Sequence, residues 1–262
     1  MPYTPAHPIT AIALIKLFPN KFNKTGLVLG TMAPDLQNFV ALRPTDTDFG
    51  HSALGMLTLG LPASILLAFA FHRLALPAFA AYAPAPLNRI AGKYARRGWR
   101  VSGFRGWATL LVSIGLGMYS HLFLDGFSHR GGLMYPFATG AVGWLFPGVR
   151  SPAALLQFGL SIVGIAVELA MLAVLAYRGR TEPAESQGEP AFAKGTFWLI
   201  VAAAAVTVTA LGLLMHRFPH YRYTLFVIPV APISGAVAGL LAASALHAVC
   251  LRVKKRAAAK TR

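Results

Sequence analysis

Five long runs of apolar residues, each free or nearly free of charge, constrain the fold of this chain more than any other feature. A hydrocarbon layer of about 30 Å takes about 20 residues of α-helix to cross. Because a lone strand cannot satisfy its backbone polar groups in lipid, each run is predicted to be a helix. The predicted spans are residues 53–71, 107–127, 153–177, 196–215 and 225–251.

The composition agrees with a membrane protein, since 56% of the residues are hydrophobic and only 12% are charged. A soluble domain has about twice that charged share. We therefore predict an all-α, polytopic membrane helix bundle with about five transmembrane helices and short N-terminal interfacial helices. The apolar stretch "GGLMYPFATGAVGWLFPGV" is broken by Gly and Pro and is predicted to be an interfacial loop rather than a sixth crossing.

The spans divide the chain into five predicted parts. The first 52 residues form an interfacial segment, in which "HPITAIALIKLF" predicts an amphipathic helix and Pro34 the first turn of another. The parts are an N-terminal segment (1–52), a three-helix core (53–177) with a basic cytoplasmic loop (73–105), a mobile linker (178–195), a two-helix scaffold (196–251) and a basic tail (252–262).

The net charge of +16 is distributed in a way that fits membrane topology and anionic lipid better than nucleic acid. If the loop 73–105, the linker and the tail are cytoplasmic, that side carries 16 of the basic residues and the other side 8. Because basic residues are enriched on the cytoplasmic side, we predict the N-terminus outside, the C-terminus inside and no nucleic-acid partner.

The stretch "SHLFLDGFSH" ends the second span and places ionisable groups where they are costly. His121 and Asp125 are four residues apart and share one helix face, and His129 follows four residues later. Imidazole and carboxylate at that spacing can ligate one metal or bridge two. The alternative is that Asp125 caps the helix or forms a surface ion pair, with the histidines at headgroup level.

Further potential ligands fall on the same predicted outer face. Asp35 lies in an apolar context, unlike Asp46 and Asp48 in the polar stretch "RPTDTDFGH". His7 lies near the start of the chain and His51 at the mouth of the first span. The potential ligands of this predicted site are His7, Asp35, His51, His121, Asp125 and His129.

The motifs "TPAHP", "GTMAPD", "GHS" and "SHLFLDGFSH" resemble those of a bacterial membrane family, domain of unknown function 4184 (DUF4184), over roughly the first 180 residues. That family looks like a relative of the membrane-bound metal-dependent hydrolases of the YdjM type. The ligand order is similar to that of the zinc-dependent phospholipase C and P1 nuclease superfamily. A bacterial family implies the cytoplasmic (inner) membrane as the location.

Carried over residue by residue, the resemblance implies one divalent metal, preferably zinc, held by Asp35, His51 and His121. It implies a second ion held by His7 and Asp125, with Asp35 and Asp125 as the catalytic carboxylates. His129 would begin a third site, but no HxxxE or HxxxD motif follows it, so one or two ions are expected. Whether Glu168, His216 or His220 joins the site is left open.

The resemblance implies an integral membrane metal-dependent hydrolase that acts on a phosphoester of a lipid or lipid-linked substrate at the outer face. Arg130 and Arg150 lie on the same predicted face and could bind the phosphate oxygens. The alternative is a non-catalytic membrane protein with a structural or sensory metal site. A transporter would need ionisable groups along a path near the midplane, and only Glu168 lies there. Metal identity, substrate and oligomeric state are not determined by the sequence.

Overall fold

A computed structural model describes residues 3–45, 47–183, 188–215 and 227–260. Within these ranges every regular element is helical, which confirms the predicted all-α class. The helices are α1 (Pro8–Leu17), α2 (Lys24–Met32), α3 (Leu36–Val40), α4 (Ala53–Tyr82), α5 (Leu87–Arg97), α6 (Gly103–Asp125), α7 (Tyr135–Leu145), α8 (Pro152–Gly179), α9 (Lys194–Met215) and α10 (Ala231–Lys260). Short 3-10 turns cover Thr4–Ala6, Ala33–Asp35 and Phe49–His51.

Five of these helices, α4, α6, α8, α9 and α10, are long and apolar enough to cross a membrane. Their outer faces carry large apolar side chains that the rest of the protein leaves uncovered. Leu66 is 70% exposed, and Phe158 and Leu199 are each 67% exposed. Because a soluble protein rarely exposes apolar area on this scale, the chain is a multi-pass membrane protein whose helices face lipid.

The first span is longer than the sequence predicts. Helix α4 continues to Tyr82 instead of ending near Phe71, so residues 73–82 of the predicted basic loop are helical. Two wide π-helical turns, Met56–Gly60 and Phe71–Ala75, each come shortly before a proline, Pro62 or Pro77. A proline lacks the N–H that an α-helical bond needs and its ring crowds the preceding turn, so a local widening allows the helix to continue.

Two other segments differ from their predictions. The predicted interfacial loop after the second span contains helix α7, which at about 16 Å is too short for a crossing. The linker was predicted to be mobile, yet its described end is docked. The Gly188 N–H donates to the Ala80 carbonyl at 3.0 Å, and the Ala191 N–H donates to the Tyr82 hydroxyl at 3.0 Å.

The last helix also continues beyond its predicted end. Helix α10 is described from Ala231 to Lys260, so most of the predicted basic tail is helical. The predicted start of this span near residue 225 lies outside the described residues. Part of the predicted basic loop forms helix α5, whose charged residues gather on one side and whose Lys93 pairs with Glu182.

The chain divides into two compact units. The first comprises Met1–Leu36, Asp48–Ala68 and Arg100–Ala173, and its centre is the close packing of α2 on α6. A Cβ atom on Gly30 would lie 2.3 Å from the Ile114 carbonyl oxygen, and one on Gly117 would lie 2.4 Å from the Leu27 carbonyl oxygen. Only glycine allows the two backbones to approach this closely.

The N-terminal segment of the first unit is fixed on α8 in a similar way. The Tyr3 N–H donates to the Ser161 hydroxyl at 2.7 Å. A Cβ atom on Gly164 would lie 2.6 Å from the Cβ of Ala6. The turn before α1 therefore lies directly on the helix surface, which fixes the position of the next residue, His7.

The second unit comprises Gln37–Thr47, Phe69–Trp99 and Val174–Arg262. Helices α9 and α10 pack closely, since a Cβ atom on Gly235 would lie 2.6 Å from the Ala204 carbonyl oxygen. The centre of this unit is Tyr82, whose ring stacks on Phe197 with 4.2 Å between the ring centroids. Glycine contacts of this kind are usual between membrane helices, because small residues let the backbones approach.

Candidate metal centre

Five ionisable side chains from separate segments of the first unit converge at the C-terminal end of α6. His121 and Asp125 lie in the last turns of that helix, His7 directly precedes α1, Asp35 ends a 3-10 turn after α2, and His51 ends the turn before α4. His7, Asp35 and His121 are fully buried, and Asp125 is 5% exposed. Buried ionisable groups are costly unless they are paired or bind a cation.

Three ligand atoms of this cluster form a nearly equilateral triangle. The Nε2 atoms of His51 and His121 are 3.2 Å apart. The Oδ2 atom of Asp125 lies 3.4 Å from the first nitrogen and 3.3 Å from the second. A tetrahedral zinc site with bonds of about 2.0–2.1 Å has ligand atoms about 3.3 Å apart, so the triangle has the dimensions of one face of such a site.

The remaining two side chains extend the cluster on either side of the triangle. The Nε2 atom of His7 lies 3.2 Å from the other carboxylate oxygen of Asp125, Oδ1. The Oδ1 atom of Asp35 lies 3.7 Å from Nε2 of His51 and 3.9 Å from Nε2 of His121. Two ligand groups can therefore be drawn, His7 with His121 and Asp125, and Asp35 with His51 and His121. They share His121, so the two sets of residues implied by the resemblance form one continuous cluster.

Two backbone carbonyls determine which nitrogen of the buried histidines is available. Nδ1 of His121 lies 2.7 Å from the Thr31 carbonyl oxygen, and Nδ1 of His7 lies 3.3 Å from that of Thr4. Because a carbonyl only accepts, Nδ1 carries a proton, and each ring in its neutral form presents a lone pair at Nε2. Nε2 of His7 then faces Oδ1 of Asp125 and Nε2 of His121 faces Oδ2 of Asp125, and each of these contacts needs a proton or a cation between the two atoms.

His51 is the least constrained of the three histidines. Its Nδ1 is buried without a hydrogen-bond partner among the described residues, and its side chain is 19% exposed. A second hydrogen bond usually fixes the orientation of a metal-ligating histidine. His51 is therefore the ligand that can reorient and the side from which solvent reaches the cluster.

The protonation state of His7 also fits a ligand. Burial lowers the pKa of His7, while the neighbouring Asp125 carboxylate opposes that shift. Because burial is the larger cause, His7 is neutral at pH 7, and the neutral imidazole is the form that binds metal.

Two threonines hold the ligands in place and were not identified from the sequence. The Thr4 hydroxyl donates to Oδ2 of Asp35 at 2.6 Å, so that Oδ1 is the oxygen that faces the histidines. The Thr31 carbonyl orients His121, as described above. Both lie inside the motifs "TPAHP" and "GTMAPD", so motif membership was the one available signal. Such indirect partners are commonly needed to orient metal ligands.

His129 lies at the edge of the cluster rather than within it. Its Nδ1 lies 3.0 Å from the Asp125 backbone carbonyl and 3.9 Å from the carboxylate, so it donates to the backbone. Arg130 and Arg150 line a neighbouring cavity together with His129, outside the group of ligand atoms. Glu168 belongs to neither ligand group, and His216 and His220 lie outside the described residues.

The fold and the cluster define a class: a multi-pass helical membrane protein with a buried His/Asp cluster that could hold a metal ion. The sequence model of the family described as "Domain of unknown function (DUF4184)" matches residues 1–245, well beyond the first 180 residues that carry the motifs. The chain belongs to the DUF4184 family. No curated protein and no solved structure matches the chain significantly.

Proposed function

We propose that this chain is an integral membrane metal-dependent hydrolase that acts on a phosphoester of a lipid or lipid-linked substrate. The observation that supports it most is the triangle of His51, His121 and Asp125, whose ligand atoms lie 3.2–3.4 Å apart, the spacing of one face of a tetrahedral metal site. A bound cation would offset the cost of burying imidazole and carboxylate groups at this spacing.

The donor set fits a divalent metal. Imidazole and carboxylate ligands suit zinc, and zinc sites are typically tetrahedral, with edges close to those of the triangle. One ion fits the triangle with Asp35 as a further donor, and His7 with the second oxygen of Asp125 offers a place for another. A bound divalent ion supplies a Lewis acid for a phosphoryl oxygen and a water of lowered pKa.

The protein residues supply orientation and proton transfer. Because Thr4 holds Oδ2 of Asp35, the Oδ1 atom of that carboxylate points at the cluster, where it can orient an attacking water and accept its proton. Asp125 contributes one oxygen to each side of the cluster. The burial of His7, Asp35 and His121 excludes bulk water and strengthens these electrostatic interactions.

The position of the cluster favours a substrate that arrives from the bilayer. The cluster lies at the end of a span, and Tyr119 and Phe123, on that same part of α6, are 66% and 51% exposed. A lipid acyl chain could contact these side chains while its head group reaches the His51 side. With the N-terminus outside, as the distribution of basic residues favours, the reaction takes place at the outer face of the cytoplasmic membrane.

The alternative of a structural or sensory metal is favoured by one observation, the almost complete burial of His7, Asp35, His121 and Asp125. A structural site fills its coordination sphere with protein groups, whereas a catalytic site leaves a position for water. The absorption spectrum of the cobalt-substituted protein separates the two. A spectrum that changes on adding phosphate indicates an open position, and an unchanged one indicates a closed site.

The first test is metal content by elemental mass spectrometry on the detergent-purified chain. We expect about one or two equivalents of a divalent metal in the wild type and a loss of most of it in His121→Ala. His72→Ala is the matched control, since His72 belongs to the other unit and should leave the metal in place. Circular dichroism checks that each variant keeps its helices.

A wild type that takes up no metal, or a His121→Ala variant that keeps it, would overturn the proposal. If metal is present, chelator-sensitive release of phosphate or of a phosphorylated head group from phospholipid micelles tests the hydrolase itself. Metal without any such activity, combined with a closed cobalt spectrum, would favour the structural alternative.

A further inference from the structure

A polar cavity of about 410 Å³ lies beside the His/Asp cluster in the first unit. It is formed by the turn that follows α6, one side of α7 and the start of α8. Its chemically active lining consists of His129, Arg130, Tyr135, Thr139, Arg150 and Gln157. The volume falls within the range of about 300–1,000 Å³ that is typical of small-molecule sites and is larger than one phosphate requires.

The charge of this lining is one-sided. Arg130 and Arg150 both line the cavity, and among the residues that the structure describes no carboxylate lines it. A guanidinium group binds phosphate oxygens through two parallel hydrogen bonds. The first turn of α8, including Pro152 and Ala154, also lines the cavity and adds the positive end of a 28-residue helix.

The uncharged part of the lining suits hydroxyl groups rather than a quaternary amine. Tyr135, Thr139 and Gln157 contribute a phenol, a hydroxyl and an amide. The Thr139 hydroxyl donates to the Tyr135 carbonyl of its own helix at 2.7 Å and offers a ligand an acceptor, whereas a phenol can both donate and accept. Recognition of a choline-like cation uses a cage of several aromatic rings. Within the described part of the chain, Tyr135 is the one aromatic residue besides His129 that lines the cavity, and the two arginines repel a cation.

The cavity and the His/Asp cluster meet at the turn after α6, where Ser128 and His129 line the cavity and both contact the Asp125 backbone carbonyl. His129 lines the cavity, and its Nδ1 donates to the backbone carbonyl of Asp125 at 3.0 Å. Because Nδ1 is engaged in this way, Nε2 is the ring atom available to a ligand. A group bound in the cavity therefore lies against the turn that directly follows Asp125.

We propose that this cavity is a head-group subsite for an anionic, hydroxylated phosphate ester, such as a glycerol or sugar phosphate. By the same charges it excludes head groups that carry an amine cation. The inference rests on the proposed function in one respect: the bound head group belongs to the substrate of the metal centre. The phosphate ester can come from a lipid or from a soluble compound, since the recognising chemistry is shared.

The test compares two phospholipids with identical acyl chains, phosphatidylglycerol and phosphatidylcholine, on the full chain in mixed micelles. Binding is measured by native mass spectrometry in the presence of a chelator, so that neither metal nor turnover affects the result. We expect the glycerol lipid to bind at least about tenfold more tightly, since one charge-assisted contact accounts for a factor of that size.

The variants are Arg130→Gln and Arg150→Gln, with Arg105→Gln as the matched control. Arg105 is an exposed arginine on α6 that does not line the cavity. Each cavity variant is expected to reduce the preference about tenfold, whereas the control keeps it. Equal binding of the two lipids, or a preference that survives both cavity variants, would overturn the proposal.

Soluble glycerol phosphate identifies the source of the ligand. If it displaces the lipid at similar concentration, the site takes a soluble phosphate ester. If it does not, the site takes the lipid head group. Both results support the subsite. If the protein takes up no metal but binds the glycerol lipid selectively, the head-group subsite is supported and the hydrolase proposal is overturned. If the protein takes up metal but does not distinguish the two lipids, the hydrolase proposal is kept and the subsite is overturned.

Discussion

Each unit buries a histidine on a membrane-spanning helix, and the surroundings of the two histidines differ. In the second unit, the Tyr82 hydroxyl accepts the backbone N–H groups of Ala191 at 3.0 Å and Phe192 at 3.3 Å. Its own proton can be donated to Nδ1 of His247 at 3.2 Å. Each of these contacts pairs a donor with an acceptor, so the protein satisfies this buried group by itself.

In the first unit, the buried histidine contacts other ionisable side chains. Nδ1 of His121 is satisfied by the Thr31 carbonyl, but its Nε2 lies 3.2 Å from Nε2 of His51 and 3.3 Å from a carboxylate oxygen of Asp125. Two imidazole nitrogens and a carboxylate oxygen therefore converge within 3.2–3.4 Å of one another. The comparison shows that burial of a histidine alone does not indicate function, whereas several ionisable groups that converge at ligand spacing mark a candidate cation site.

Metal removal is expected to have the largest effect on stability, and this effect should depend on the first unit and not on the second. Chelation should lower the free energy of unfolding of the wild type by about 3–4 kcal/mol, the value for a ligand present at about 100 to 1,000 times its Kd. Asp125→Asn should be insensitive to chelator. His247→Ala should unfold earlier than the wild type and still respond to chelator. Thermal unfolding in detergent measures all three, and a wild type unaffected by chelator would contradict the comparison.

Disturbing the packing of α2 on α6 is expected to have the next largest effect on stability. In Gly117→Ala the new methyl group would lie 2.4 Å from the Leu27 carbonyl oxygen, so the helices must separate. We expect a loss of about 2–3 kcal/mol in stability and a weaker hold on metal, because Thr31 moves away from His121. Gly115→Ala, on the same helix with open space around it, is the control. Equal stability and metal content in the two variants would show that the close approach is not required.

A substitution at Tyr82 in the second unit should lower stability without lowering the metal content. Tyr82→Phe leaves the buried N–H of Ala191 and the half-buried N–H of Phe192 without their acceptor and should cost about 1–2 kcal/mol in stability. Metal content should stay at the wild-type level. Tyr119→Phe, at an exposed position, is expected to change neither quantity. A loss of metal in Tyr82→Phe would mean that the two centres are not independent.

The smallest expected effect concerns the hydroxyl that orients Asp35. Thr4→Val removes the 2.6 Å hydrogen bond and should weaken metal binding about tenfold while leaving the metal-free protein nearly as stable. The control is Thr109→Val, because that hydroxyl donates only to the Arg105 carbonyl of its own helix. Competition with a metal-binding dye measures the affinity. Equal metal affinities in the two variants would show that the Thr4 hydroxyl does not support metal binding.

The sequence predicts the number of spans because hydropathy and length are local properties. It does not predict where α4 ends, since Arg73 and Pro77 both signal a helix end. The π-helical turn that lets the helix continue is a response of the backbone that composition does not encode. The docking of residues 188–193 was missed for a similar reason: a polar stretch with Pro and Gly is typical of a free linker, and its partners on α4 are remote in sequence.

The ligand residues could be proposed from spacing and motif order, but their supporting contacts could not. The approach of Thr31 to His121 depends on Gly30 and Gly117, which permit the contact but do not by themselves indicate a partner. The same holds for the Tyr82 centre, whose polar partners include backbone N–H groups. Side-chain chemistry is readable from a sequence, whereas backbone partners are created by packing.

The separation of the ligands along the chain also determines when a metal can be captured during synthesis. His51 and His121 are 70 residues apart, and α6 carries both His121 and Asp125. At about 5–20 residues per second, the ribosome needs several seconds to add that stretch. Throughout this interval the N-terminal residues of the cluster lack His121, which belongs to both ligand groups, so neither group is complete before the second span has been made. If the cluster holds a metal, its loading would be a late step of biogenesis, and a chain truncated before α6 would lack the site.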